Sequence, residues 1–307
     1  MESKPYSYEK IEKPTIIITS LGRTGTKFFQ ALFESQLPEA CSLHEPDVFN
    51  YFQYKKGKER ISQVKIQLKE VGLFNLLIRK PLGRWSLINI SDDRVRGAID
   101  QSSTVKKVYN QRDSFIKTVA GSPYIESNIG YYGLLDVLDN VFSQFRAAYF
   151  IRDGRDWIQS HMNWGQMYGK NQFQKIFAHT WPTAHDFGDV TIETWESMSR
   201  FEKLCRAWVR LNEFAINSIA DNPFVRLVKF EDIFISDNRY QNLEDLLNFL
   251  LSIDNSLELD VDSINGWLEK RIHGSQENFP DFPDWSKIHK AQFHEICDPL
   301  MKYVGYL

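Results

Sequence analysis

TIIITSLGRTGTKF, residues 15–28, decides how the rest of this chain is read. Thr15 to Thr19 is a run of β-branched residues, suited to a buried strand. It breaks into Leu21-Gly22-Arg23-Thr24-Gly25-Thr26, and an apolar pattern of helical spacing starts at Lys27-Phe28-Phe29. The stretch predicts a strand, a tight glycine loop and a helix N-terminus. Such a loop gathers backbone N–H groups and the positive end of a helix dipole around one point, which suits phosphate or sulfate. Gly22 and Gly25 permit the backbone angles this needs, and Arg23 adds a permanent cation. It is not a Walker A sequence, because Lys27 lies one place late and no glycine sits five before Gly25. The G-x-G-x-x-G dinucleotide fingerprint is also missing.

Working outward, Phe28, Phe29, Leu32 and Phe33 predict a first helix from Thr26 to about Ser35, ended by Leu37-Pro38. Ala40 to Leu43 reads as a short buried strand running into His44-Glu45-Pro46-Asp47. Further buried strands are expected at 124–128, 146–151 and 224–230. Phe201, Leu204, Cys205, Trp208, Leu211 and Ala215 form one apolar helical stripe, expected to be core. A further helix and loop are expected over 241–260, and a closing helix over 285–304. Strands alternating with helices predict an α/β fold with a mostly parallel sheet, whose ligands lie beyond the carboxyl ends of the strands.

With 307 residues and 42% hydrophobic content there is ample material for a core. No linker, repeat or low-complexity stretch interrupts the chain, so one domain over 1–307 is expected, with a helical insertion at about 50–120. Within it, helical stretches fall near 61–69 and 73–78. A net charge of −3 gives no reason to expect nucleic acid. Cys41, Cys205 and Cys297 are an odd count without metal-type spacing and read as reduced packing residues. The polar, charged first fourteen residues do not resemble a signal peptide. No apolar run approaches the roughly 20 residues of a membrane span, so a cytoplasmic protein is expected.

A second block, Tyr149-Phe-Ile-Arg152-Asp153-Gly154-Arg155-Asp156-Trp157-Ile-Gln-Ser160, repeats the strand–turn–helix theme. Arg152 falls at a strand mouth and Ser160 about two helical turns on, so a guanidinium and a hydroxyl can converge on one phosphate. Alone, Arg-Asp-Gly-Arg-Asp is equally well a surface salt-bridge turn.

TSLGRTGTKF followed by RDGRDWIQS resembles the two nucleotide-binding blocks of sulfotransferases that use 3′-phosphoadenosine 5′-phosphosulfate (PAPS), and most closely the bacterial and carbohydrate-modifying members. The resemblance implies a P-loop-type three-layer fold, a central parallel sheet flanked by helices. It implies that Gly22, Arg23, Thr24, Gly25, Thr26 and Lys27 hold the 5′-phosphosulfate, with Phe28 beside the adenine. Lys27 stands where many members carry a second hydroxyl residue, and its backbone N–H serves instead. Arg152 and Ser160 correspond to the pair that holds the 3′-phosphate, and Gly154 replaces the usual proline or lysine of the turn. Softer echoes are Lys229-Phe-Glu231-Asp232-Ile233, Trp285-Ser286 and Tyr303-Val-Gly305-Tyr306. The C-terminal Arg-Lys-Gly triplet of many members is absent, and Arg271 is the nearest substitute.

Sulfuryl transfer needs a base for the acceptor hydroxyl, positive charge for the departing phosphate, and in-line positioning. Arg23 and the loop N–H groups supply the charge, and no metal is required. Glu45, just past the second strand, is the favoured base, with His44 its rival because imidazole is better matched to neutral pH. The plain alternative for Glu45 is a helix cap or an arginine partner. Glu126-Ser127-Asn128 is a candidate lining of the acceptor pocket, and His161 is expected to be structural. The chain is thus expected to carry a sulfuryl group from PAPS to a small-molecule or glycan hydroxyl, releasing the bisphosphate PAP. A nucleotide-dependent kinase of related fold, or a non-catalytic nucleotide-binding module, stands as the alternative.

Overall fold

The computed structural model describes residues 9–47, 86–165, 167–169, 181–219, 222–254, 256–257, 261–269 and 278–307. Five strands form one parallel sheet: β1 Thr15–Ser20, β2 Cys41–His44, β3 Tyr124–Ser127, β4 Phe145–Ile151 and β5 Val225–Lys229, in the order β2-β3-β1-β4-β5. β1 is central. The chain runs from it to β2 and β3 on one side, then crosses to β4 and β5 on the other. The carboxyl end of β1 is therefore the switch point where a doubly wound sheet opens to a ligand.

Alternation along the strands sends side chains into two cores. Ile17, Tyr124, Ala147 and Tyr149 face one layer, built from α2 Leu87–Val95, α3 Gln101–Thr118, α4 Gly154–Trp164, α5 Arg200–Ile219 and a later C-terminal helix. Ile16, Ile18, Ile125, Ala148 and Phe150 face the other, built from α1 Thr26–Gln36, α6 Phe230–Phe234, α7 Arg239–Leu251 and α8 Val261–Leu268. The C-terminal helix is α9 Lys287–Tyr303. Helices on both faces of a parallel sheet make the three-layer α/β fold.

Expected and observed elements differ at their edges for identifiable reasons. β2 is an edge strand, so Cys41 to His44 are half-buried rather than buried. The last strand stops at Lys229 because Phe230 already opens α6. The apolar stripe of α5 is core, with Phe201, Leu204, Trp208 and Leu211 fully enclosed. α2 and α3 occupy the described part of the region 50–120, whereas the stretches expected at 61–69 and 73–78 lie outside the described residues. Among the described residues no helix is long and apolar enough to cross a membrane. No group of three or more His, Cys, Asp or Glu among them could hold a metal ion.

Candidate active site

β1 delivers the glycine loop to the switch point. Gly22, Arg23 and Gly25 all have positive φ, at 82°, 59° and 80°. Gly25 is fixed twice over, since a Cβ there would also come within 2.9 Å of Phe234 Cζ. Arg23 holds the left-handed conformation without glycine's freedom, a strain that surrounding contacts must maintain. Those contacts are visible. Ser20 Oγ accepts from the Gly22 N–H at 2.9 Å and from the Thr24 hydroxyl. Arg23 Nε donates to Ser160 Oγ at 2.9 Å, and Arg152 Nη1 donates to the Arg23 carbonyl at 3.0 Å. The two sequence blocks are therefore latched reciprocally, through the very residues singled out from their spacing.

The latch leaves positive charge poorly neutralised. Among the described residues Arg152 has a carboxylate partner, Asp156, only at 3.9 Å, and its buried Nε has no hydrogen-bond partner. Its guanidinium lies 4.7 Å over the ring of Phe230, a favourable cation–π contact. Burial, and then the like charge of Arg152, lower the proton affinity of the Arg23 guanidinium from its ordinary value. The Arg-Asp-Gly-Arg-Asp turn divides its arginines: Arg155 forms the bidentate salt bridge with Asp153, while Arg152 turns to the glycine loop. The salt-bridge reading of that block holds closely for Arg155 and only loosely, through Asp156 at 3.9 Å, for Arg152.

The remaining loop residues take separate places. Thr24 and Thr26 are buried, and Lys27 is exposed at the start of α1. Phe28 has its ring in the interior, edge-on to Phe29 and Phe234 at 5.2 and 5.1 Å, so it offers no open face. Half-buried Phe230 and Phe234 are tilted against each other at 4.6 Å beside Gly25; Phe230 belongs to the Lys229-Phe-Glu231 segment, whereas Phe234 lies outside every motif. Arg271 lies outside the described residues.

On the other side of β1, β2 and β3 carry a second cluster. Glu126 is fully buried and accepts from Arg112 Nε (2.9 Å), Arg112 Nη2 (2.7 Å), Tyr124, Tyr131 and Asn128. It is thus no open pocket lining: its carboxylate oxygens are taken up by these five donors, and Ser127 and Asn128 are buried as well. Asp47 joins the cluster, accepting from Asn128 Nδ2 at 2.7 Å and the Leu87 N–H at 2.6 Å, with Arg112 Nη2 3.4 Å away. The cap-and-arginine role considered for Glu45 belongs to Asp47, two residues on.

Glu45 itself has φ 45° and donates its N–H to the Ser127 carbonyl at 3.0 Å. Its side chain is 19% exposed, beside His44 Nδ1 at 3.9 Å. Burial, then the negative charges of Asp47 and Glu126, raise its pKa to about 7, against the opposing pull of Lys27. His44 moves the other way, to about 4, through burial and the positive charge of Lys27. The expected order of basicity is therefore reversed, chiefly because burial disfavours the charged form of each group, which holds the proton on the carboxylate and keeps it off the imidazole. His161 is structural: it is buried, stacked 3.7 Å on Trp157, with Nδ1 3.0 Å from the Trp157 carbonyl.

No protein-family model matches the sequence, and no curated protein matches it. Two solved structures are similar in outline. The sulfotransferase domain from the curacin biosynthetic pathway aligns with a TM-score of 0.43 at 13% identity, over 94% of this chain and 91% of that one. The sulfotransferase domain from the Synechococcus PCC 7002 olefin synthase aligns with a TM-score of 0.42 at 13% identity, over 95% and 96%. Similarity at this level says nothing about the donor or acceptor of this chain.

Proposed function

We propose that this chain is a sulfotransferase that moves a sulfuryl group from PAPS to the hydroxyl of an acceptor, taken to be a carbohydrate or glycolipid. One observation carries the reading: Arg23 and Arg152 converge through the Arg23–Ser160 and Arg152–Arg23 hydrogen bonds, with Asp156, 3.9 Å from Arg152, the one carboxylate in ion-pair range among the described residues. Two guanidiniums held together against their own repulsion favour a multiply charged anion. The buried, unpartnered Arg152 Nε supports the same view.

In this reading the N–H groups of the loop from Gly22 to Lys27 and the Arg23 guanidinium hold the 5′ end of the donor, and Arg152 with Ser160 holds its 3′-phosphate. The donor supplies an electrophilic sulfuryl group on a phosphate leaving group. Arg23 offsets the negative charge that develops on the departing oxygen, a preorganised electrostatic role. Glu45, with its proton affinity raised to about neutral pH, takes the proton of the attacking hydroxyl. Titration with 3′,5′-bisphosphoadenosine and with ATP, each with and without Mg²⁺, tests the reading. Tight, Mg²⁺-independent binding of the bisphosphate and weak binding of ATP are expected, followed by transfer of radiolabelled sulfate to a glycan panel. Preference for Mg-ATP would point to a kinase, and binding without transfer to a non-catalytic module.

A further inference from the structure

Arg152 is useful to an anion only if its backbone is fixed, and three contacts from distant parts of the chain converge on that backbone. The Arg152 carbonyl accepts from Trp208 Nε1 of α5 at 3.1 Å. The Asp153 N–H donates to Glu231 Oε1 of α6 at 3.0 Å. The Tyr306 hydroxyl donates to Glu231 Oε2 at 2.6 Å and stands 3.2 Å from the Ile151 carbonyl. The peptide groups on both sides of Arg152 are therefore gripped by one tyrosine–glutamate pair.

The end of α9 aims that tyrosine. Gly305 has φ 73°, its N–H donates to the Lys302 carbonyl, and the Tyr306 N–H donates to the Met301 carbonyl at 2.8 Å. This pair of bonds is the Schellman arrangement, which turns a chain sharply back across its helix end. Lys229 at the mouth of β5 completes the dock, donating Nζ to the Gly305 carbonyl at 2.9 Å and lying 4.9 Å over the Tyr306 ring. A side chain at 305 would approach that ammonium group to 3.1 Å.

We propose that Tyr306, acting through Glu231, is a positioning residue for Arg152, and that this clamp sets the affinity for the 3′-phosphorylated end of the donor. The inference rests on the sulfotransferase reading for its ligand, though not for the clamp itself. Tyr306→Phe keeps the ring over Lys229 and removes the hydroxyl. In the unliganded protein, hydrogen exchange at the Asp153 amide should quicken about tenfold, the consequence of losing one buried hydrogen bond's worth of restraint, with β1 amides unchanged. Dissociation constants for 3′,5′-bisphosphoadenosine should rise about 3–10-fold, carried into donor KM, while kcat changes less than about twofold. Adding Tyr306→Phe to Arg152→Ala should weaken binding no further, because both act at one point. Unchanged exchange at Asp153, or effects of the two substitutions that multiply, would overturn the proposal. Failure of the wild-type protein to bind the bisphosphate would instead remove the sulfotransferase reading, and the exchange rates would still decide whether the clamp exists.

Discussion

Two clusters of charge flank the carboxyl end of β1, and they are built on opposite plans. Beside β3, Arg112 with 1% side-chain exposure meets Glu126 and Asp47 in a closed set, where each carboxylate oxygen has a donor. Beside β4, Arg23 and Arg152 approach each other with, among the described residues, one carboxylate in range, Asp156 at 3.9 Å. The first cluster is complete without a ligand and ties β2, α2, α3 and β3 together. The second is electrostatically unfinished, and its two halves are held by neutral hydrogen-bond acceptors, Ser160 Oγ and the Arg23 carbonyl. Closed charge sets build scaffold; open ones bind. Glu45 follows the edge strand β2, on a loop anchored by Asp47 and within the field of Lys27.

The largest effect is expected at Glu45. Glu45→Gln should lower kcat by about 10²–10⁴ with bisphosphate binding nearly intact. Because the carboxylate must be ionised to take a proton and its pKa is about 7, wild-type kcat/KM should climb with pH through about 7. The same shift fixes the sign of a stability test. The folded chain holds this proton more tightly than the unfolded chain does, so ionisation favours unfolding as pH rises from about 4.5 to 7. Glu45→Gln should therefore gain in Tm over wild type at pH 8 and lose that gain at pH 4. Wild-type turnover in the variant would return His44 to consideration despite its low proton affinity.

Arg112→Met attacks the closed cluster. Two buried carboxylates lose their cation, at a cost of about 3–5 kcal/mol in unfolding free energy by urea denaturation. Arg152→Ala attacks the open one. It should raise donor KM about 10–100-fold, the loss of a charge-assisted contact of about 1.5–3 kcal/mol, yet leave the unfolding free energy by urea denaturation within about 1 kcal/mol of wild type because like-charge repulsion is relieved as contacts are lost. The contrast fails if Arg112→Met is tolerated or if Arg152→Ala unfolds the protein.

The two clusters also differ in how far the sequence revealed them. Arg23 and Arg152 each follow a strand and open a turn within a dozen residues, so local chemistry marks them. The closed cluster joins Asp47, Arg112 and Glu126 from a loop, a helix and a strand, and no local pattern unites them. A signal was nevertheless present: Arg112 lies on the same helical stripe as Val105, Val108 and Phe115, and Glu126 shares the buried face of β3 with Tyr124. A charge on an apolar stripe and an opposite charge in a buried strand call for each other. The relative basicity of Glu45 and His44 was illegible for a different reason, since it depends first on how deeply the fold buries each and then on Lys27 and, for Glu45, on Asp47 and Glu126. The path from Tyr306 to Arg152 was hidden too, because it passes through Glu231 of another element.

The smallest effect probes the seam of the open cluster. Ser160 lies on α4 and accepts from Arg23 Nε at 2.9 Å, whereas the proposed function gives it, with Arg152, to the 3′-phosphate. Both roles predict that Ser160→Ala weakens bisphosphate binding about fivefold, the roughly 1 kcal/mol net worth of one typical hydrogen bond. They separate with a 5′-phosphosulfate ligand that has no 3′-phosphate. If the hydroxyl serves the 3′-phosphate, the fivefold penalty should vanish with that ligand, and this is the expected result. If it serves only to orient Arg23, the penalty should persist undiminished, since Arg23 is read as acting on the 5′ end. The second result would make Ser160 part of the latch, leaving Arg152 as the one described contact proposed for the 3′ end.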